Sequence, residues 1–215
     1  MSFDAAGRGN GLSTGRVAGA VRRAASLRRG AAALEDLRAT LGDGPFALVL
    51  LFVSAEQDRD ALAAALPGAF GDAPVIGCTT AGEIGPGGYI TGGVAALAFA
   101  RRDFAASLRV APAARGLRVS DAAALAREMS GALENALAAH DRPLGRRFGL
   151  MLADADAACE EALAFAFGEA LGRDPFLGGS CGGMDGRPGG GFVLTEAGFA
   201  QGAAAVMMLE TRGAD

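Results

Sequence analysis

Pro74-Val75-Ile76-Gly77-Cys78-Thr79 and Pro175-Phe176-Leu177-Gly178-Gly179-Ser180 line up residue by residue, and Gly82 falls on Gly183. Each string reads as a short strand that runs into a glycine-rich stretch, 77–88 in the first case and 178–191 in the second. Upstream of each lies an apolar run and then a helical pattern. Residues 46–53 are continuously apolar, the mark of a strand covered on both faces, and Ser54 with Gln57 three positions on reads as a capping box for a helix ending near Leu66. In the second copy, 148–152 is the strand and about 158–171 the helix, with Leu163, Phe167 and Leu171 as its stripe and Gly172 as its stop. Downstream, each loop is followed by two strands, 94–99 and 104–110 in one copy, 192–195 and 203–209 in the other. The order predicts a duplicated βαβββ unit over about 44–113 and 146–210. The fold class is α/β, mixed sheets with flanking helices.

Further helices are expected at 31–41, with Leu34, Leu37 and Leu41 on one face, and from Ser120 to His140, with Leu125, Met129, Leu133 and Leu137 at i+4 spacing. Residues 1–15 read as a loose tail and 16–215 as one domain. The longest apolar run is far short of the roughly 20 residues that span a bilayer. The N-terminus has no signal-peptide run, so a cytoplasmic protein with no membrane contact is expected.

The composition excludes several chemistries. All 20 basic residues are arginine, which removes a Walker A loop, a Schiff-base lysine and a kinase lysine. The single histidine, His140, removes HExxH and multi-histidine metal sites. A net charge of −4, no tryptophan and one tyrosine speak against a nucleic-acid surface. The first 38 residues carry seven arginines against three acids, dispersed as a solvated face would have them.

The two glycine-rich loops are the candidate site. Glycine lets backbone N–H groups converge on an anion. The first loop offers Gly77, Cys78, Thr79, Thr80, Gly82 and Glu83; the second offers Ser180, Cys181, Asp185 and Arg187. Arg187 suits a carboxylate, and Glu83 or Asp185 an amino group, so together they suit an amino-acid-like zwitterion. The alternative is that the glycines serve only as tight turns. Gly178-Gly179-Ser180-Cys181-Gly182 matches the G-x-S-x-G nucleophile elbow, but no helix follows it and the histidine lies upstream. A thiol-dependent enzyme using Cys78 or Cys181 is a further reading, set against simple packing of small residues. Cys159, on the first turn of a helix, reads as core. His140 is either a haem ligand or a helix-terminal residue favoured there by the dipole. Asp154 and Asp156 stand where Ser54 and Glu56 stand in the first copy and read as helix-capping groups.

The string 75–84, Val-Ile-Gly-Cys-Thr-Thr-Ala-Gly-Glu-Ile, followed by Gly88-Tyr89 and the strand 94–99, resembles the signature of the FIST N domain (F-box and intracellular signal transduction), and the likeness extends over about 20–210. The resemblance is to the N-terminal domain only. It implies a non-enzymatic sensory input domain for small ligands such as amino acids, with Gly77, Cys78, Thr79, Thr80, Gly82 and Glu83 on the family motif. It also implies that some members bind haem and sense nitric oxide, and that the output is a separate histidine kinase or cyclic-di-nucleotide enzyme. No resident cofactor is expected unless His140 holds haem.

Overall fold

A computed structural model describes residues 19–138, 145–183, 191–195 and 197–211. Two mixed sheets face each other, with helices on their outer faces. The first sheet contains β1 (Val21–Ser26), β2 (Phe46–Ser54), β3 (Val75–Thr80), β6 (Val94–Ala100), β10 (Val193–Thr195) and β11 (Gly198–Ala200), in the order β1-β6-β2-β3-β10-β11. The second contains β7 (Phe104–Ala111), β8 (Arg147–Asp154), β9 (Phe176–Cys181) and β12 (Ala204–Thr211), in the order β7-β12-β8-β9. A hairpin of β4 (Glu83–Gly85) and β5 (Gly88–Ile90) forms a two-stranded sheet of its own.

Alternation of side chains across the strands explains the layers. In β2, Val49, Leu51 and Val53 pack with Leu34, Leu37, Leu41 and Leu62 of α1 (Ala31–Leu41) and α2 (Arg59–Ala65). Leu48 and Leu50 point the other way and meet Ala205, Met207 and Leu209 of β12. The alternate residues of β12, Ala204, Val206 and Met208, pack against α3 (Val119–Ala138) and α4 (Glu160–Leu171). The chain is therefore a helix–sheet–sheet–helix sandwich, consistent with the α/β class expected.

Both sheets repeat one connectivity. In each, the outer first strand pairs antiparallel with the last, the last antiparallel with the second, and the second parallel with the third. This common order runs over 21–100 and 104–211: it adds β1 with α1 ahead of the first copy, and β7, read from the sequence as the last strand of the first copy, is instead the first strand of the second sheet, followed by α3. The two aligned strings occupy equivalent places. Val49 N donates to Pro74 O at 2.9 Å, and Gly149 N to Pro175 O at 2.8 Å. A Cβ on Gly77 would collide with the Leu51 carbonyl, and one on Gly178 with the Met151 carbonyl, so both positions require glycine for close parallel approach.

One local expectation is corrected. Ser54 is the last residue of β2 rather than a helix cap, and α2 starts later, with Asp58 accepting a hydrogen bond from Ala61 N. The Ser54 hydroxyl instead accepts from Glu56 N. The Gln57 side chain is buried and ties three loop segments, donating to Arg28 O and Gly92 O and accepting from Gly30 N. Long-range partners outcompete the local box at this place. Asp154 repeats the Ser54 turn, accepting from Asp156 N at 3.3 Å, and adds a second bond from Gly202 N at 2.6 Å.

Candidate functional site

Gly77, Cys78, Thr79 and Thr80 lie within β3 itself, so the glycine-rich stretch begins inside the expected strand, which runs on to Thr80. Thr79 is wholly buried and ties the two halves together. Its N–H donates to Phe192 O, its hydroxyl accepts from Phe192 N, and its carbonyl accepts from Gly182 N, each at 2.9 Å. Cys78 and Cys181 project from β3 and β9 into the layer between the sheets, where the two thiols lie beside each other. That contact with Cys78, reinforced by burial, pushes the Cys181 thiol well above its ordinary range. Burial likewise pushes Cys159 up to about 11. Neither environment favours a thiolate. All three cysteines are free and buried.

After β3 the chain turns at Gly82, against which the Tyr89 ring lies, and enters the β4–β5 hairpin. The hairpin roofs a cavity of about 390 Å³ against the inner face of the first sheet. Phe52, Ala95 and Leu97 supply its apolar floor, and Thr80, Glu83 and Arg23 its polar groups. Glu83 is 1% exposed. The Thr80 hydroxyl donates to its Oε1 at 2.6 Å and Gly93 N to its Oε2 at 3.3 Å. Burial raises its pKa above the ordinary value near 4.5, the nearby Glu56 adds to this, and the two donors oppose it. Arg23 is exposed at the cavity and, among the described residues, makes no hydrogen bond or ion pair.

The second loop is placed differently. Ser180 donates to Glu160 Oε1 at 2.7 Å, on the helix-bearing face of its sheet, while Cys181 faces the other sheet. The two glycine-rich segments thus begin side by side, at Thr79 and Gly182, yet the described cavity belongs to the first. Asp185, Arg187 and His140 lie outside the described residues. Arg23 was missed because the early arginines read as a dispersed solvated face. The alternation Val21-Arg22-Arg23-Ala24-Ala25-Ser26 was the available signal, since it sets Arg23 on the same face as Ala25.

A family model of the FIST N domain matches residues 47–214. The chain belongs to the FIST N domain family. The FIST N domain is a signal-transduction sensor domain that binds small ligands, and membership gives this chain that coarse function. No curated protein matches the sequence. Among solved structures, a cyanuric acid hydrolase from A. caulinodans is similar at 13% identity and a TM-score of 0.47, over 90% of this chain and 71% of that one. A likeness of that degree carries no argument about chemistry. No helix among the described residues is long and apolar enough to cross a membrane.

Proposed function

We propose that this FIST N domain is a non-enzymatic, cytoplasmic input domain whose amino-acid-like ligand sits under the β4–β5 hairpin. The observation that supports it is the cavity itself, in which the unpartnered Arg23 guanidinium and the buried Glu83 carboxylate share one small space over an apolar floor. Arg23 takes the ligand carboxylate in a charge-assisted bond. Glu83, already oriented by Thr80 and Gly93, takes the ammonium group. Phe52 and Leu97 receive the apolar remainder. The polar groups described at the cavity, Arg23, Thr80 and Glu83, suit recognition of a zwitterion, and no cofactor enters this reading. The signal passes to a separate histidine kinase or cyclic-di-nucleotide enzyme.

A thermal-shift screen of amino acids and small carboxylates tests this. A ligand at a hundred times its Kd stabilises the fold by about 2.7 kcal/mol. That shift is expected to vanish in Arg23→Ala. A flat screen, or a shift that survives Arg23→Ala, overturns the proposal.

A further inference from the structure

One hairpin of the chain is paired into a larger sheet and the other is not. β10–β11 pairs Val193 with Ala200, Leu194 with Phe199 and Thr195 with Gly198. β4–β5 pairs Glu83 with Ile90, Ile84 with Tyr89 and Gly85 with Gly88, three pairs in the same pattern. Each hairpin follows the third strand of its half. β10 continues the opposite half's sheet by pairing antiparallel with β3. Its cross-strand apolar pair is covered there: Leu194 is 1% exposed, Phe199 packs beside it, and Gly198 lies against Ala63 of α2. In β4–β5 the equivalent pair is bare, Ile84 at 83% and Tyr89 at 69% exposed.

Among the described residues, the strand that would receive it has an unpaired edge as well. β9 is the counterpart of β3, and α4 that of α2. Because Gly149 N bonds Pro175 O, alternation turns the N–H and C=O of Phe176, Gly178 and Ser180 away from β8. The counterpart of Ser180 is Thr79, whose N–H bonds Phe192 O. Among the described residues nothing pairs with this edge of β9, and Leu177 is 59% exposed on it. The edge carries neither proline nor a charged residue, the usual guards against strand addition.

We propose that β9 and α4 of one chain receive the β4–β5 hairpin of a second copy, reproducing between chains the β3–β10 pairing already present within one. Both complementary surfaces are on the same chain, and a two-fold arrangement makes the contact twice. The inference rests on strand edges, not on the ligand cavity.

Analytical ultracentrifugation of the full chain over a dilution series, with two cross-linking variants, tests it. The wild type is expected to self-associate, at least doubling its mass. Ser180→Pro removes an outward N–H, which an edge strand tolerates, and is expected to be monomeric with unchanged circular dichroism. Ile84→Cys and Leu177→Cys chains, mixed and treated with a short bifunctional thiol reagent, are expected to cross-link to each other and not among themselves; the native cysteines are buried. A wild type monomeric at every concentration, a folded Ser180→Pro that still associates, or cross-linking of Leu177→Cys alone overturns the proposal.

Discussion

The third strands of the two sheets share a register, a preceding proline and an obligatory glycine, yet their surroundings differ. β3 is enclosed between β2 and β10, and its central residues are buried. β9 has β8 on one side and, among the described residues, no strand on the other, and 177–180 are exposed. The difference teaches that glycine at Gly77 and Gly178 is demanded on the side of the parallel neighbour, whereas burial depends on what lies on the far side. It also explains why the cavity and the edge that is unpaired among the described residues fall in different halves. The β4–β5 hairpin folds back over its own sheet and encloses the cavity, and among the described residues it does not pair with β9.

The largest expected effect comes from substituting the two glycines. Gly77→Ala drives a methyl into the Leu51 carbonyl with strands on both sides, and a loss of about 4 kcal/mol or more is expected. Gly178→Ala meets the Met151 carbonyl, at a φ of +152° that L side chains rarely adopt, but β9 can shift outward. Urea unfolding should show a smaller loss, about 2–3 kcal/mol. Equal losses would mean that β9 is held as firmly as β3, which breaks the comparison. The hairpins give the next effect. Leu194→Ala empties a fully buried position and is expected to cost about 2–4 kcal/mol. Ile84→Ala, measured at a dilution where chains are separate, is expected to stay within about 0.5 kcal/mol. A large cost for Ile84→Ala would show that this hairpin is already seated within its own chain.

Much of this arrangement was legible in the sequence, for physical reasons. The runs 46–53 and 148–152 are strands because continuous apolar sequence suits a strand buried on both faces, and the stripe Leu163, Phe167 and Leu171 does pack inward. The alignment of the two glycines was legible, but its cause was not: they read as ligand loops or tight turns, whereas a parallel neighbour leaves no room for a Cβ. What was not legible is long-range. Gln57 looks like a capping residue and is a buried tie between loops. Glu83 to Ile90 reads as a glycine-rich loop and is a hairpin, since its three-residue strands are too short to show alternation. Arg23 reaches the cavity only because β1 pairs with β6, some seventy residues later in the chain.

The smallest expected effect bears on Glu83, the polar group of the enclosed half, whose seat the second half fills with the apolar Val193. Its folded-state pKa is raised, so the native state holds this proton more tightly than the unfolded chain does. The group's contribution to stability is therefore fully present below the unfolded value near 4.5 and declines as pH rises through the raised folded value. Glu83→Gln keeps the shape and a carbonyl acceptor but cannot titrate. Thermal melts from pH 4.5 to 7 should show the wild type losing stability relative to Glu83→Gln as pH rises. Parallel profiles would mean that the hydroxyl of Thr80 and the amide of Gly93 fully offset burial. Glu83 would then be a carboxylate held ready in its charged form, and an added ammonium ligand should leave the pH dependence of melting unchanged. If instead the wild type shows the expected decline, a bound ammonium group should flatten it, because the ligand supplies the counter-charge that burial withholds.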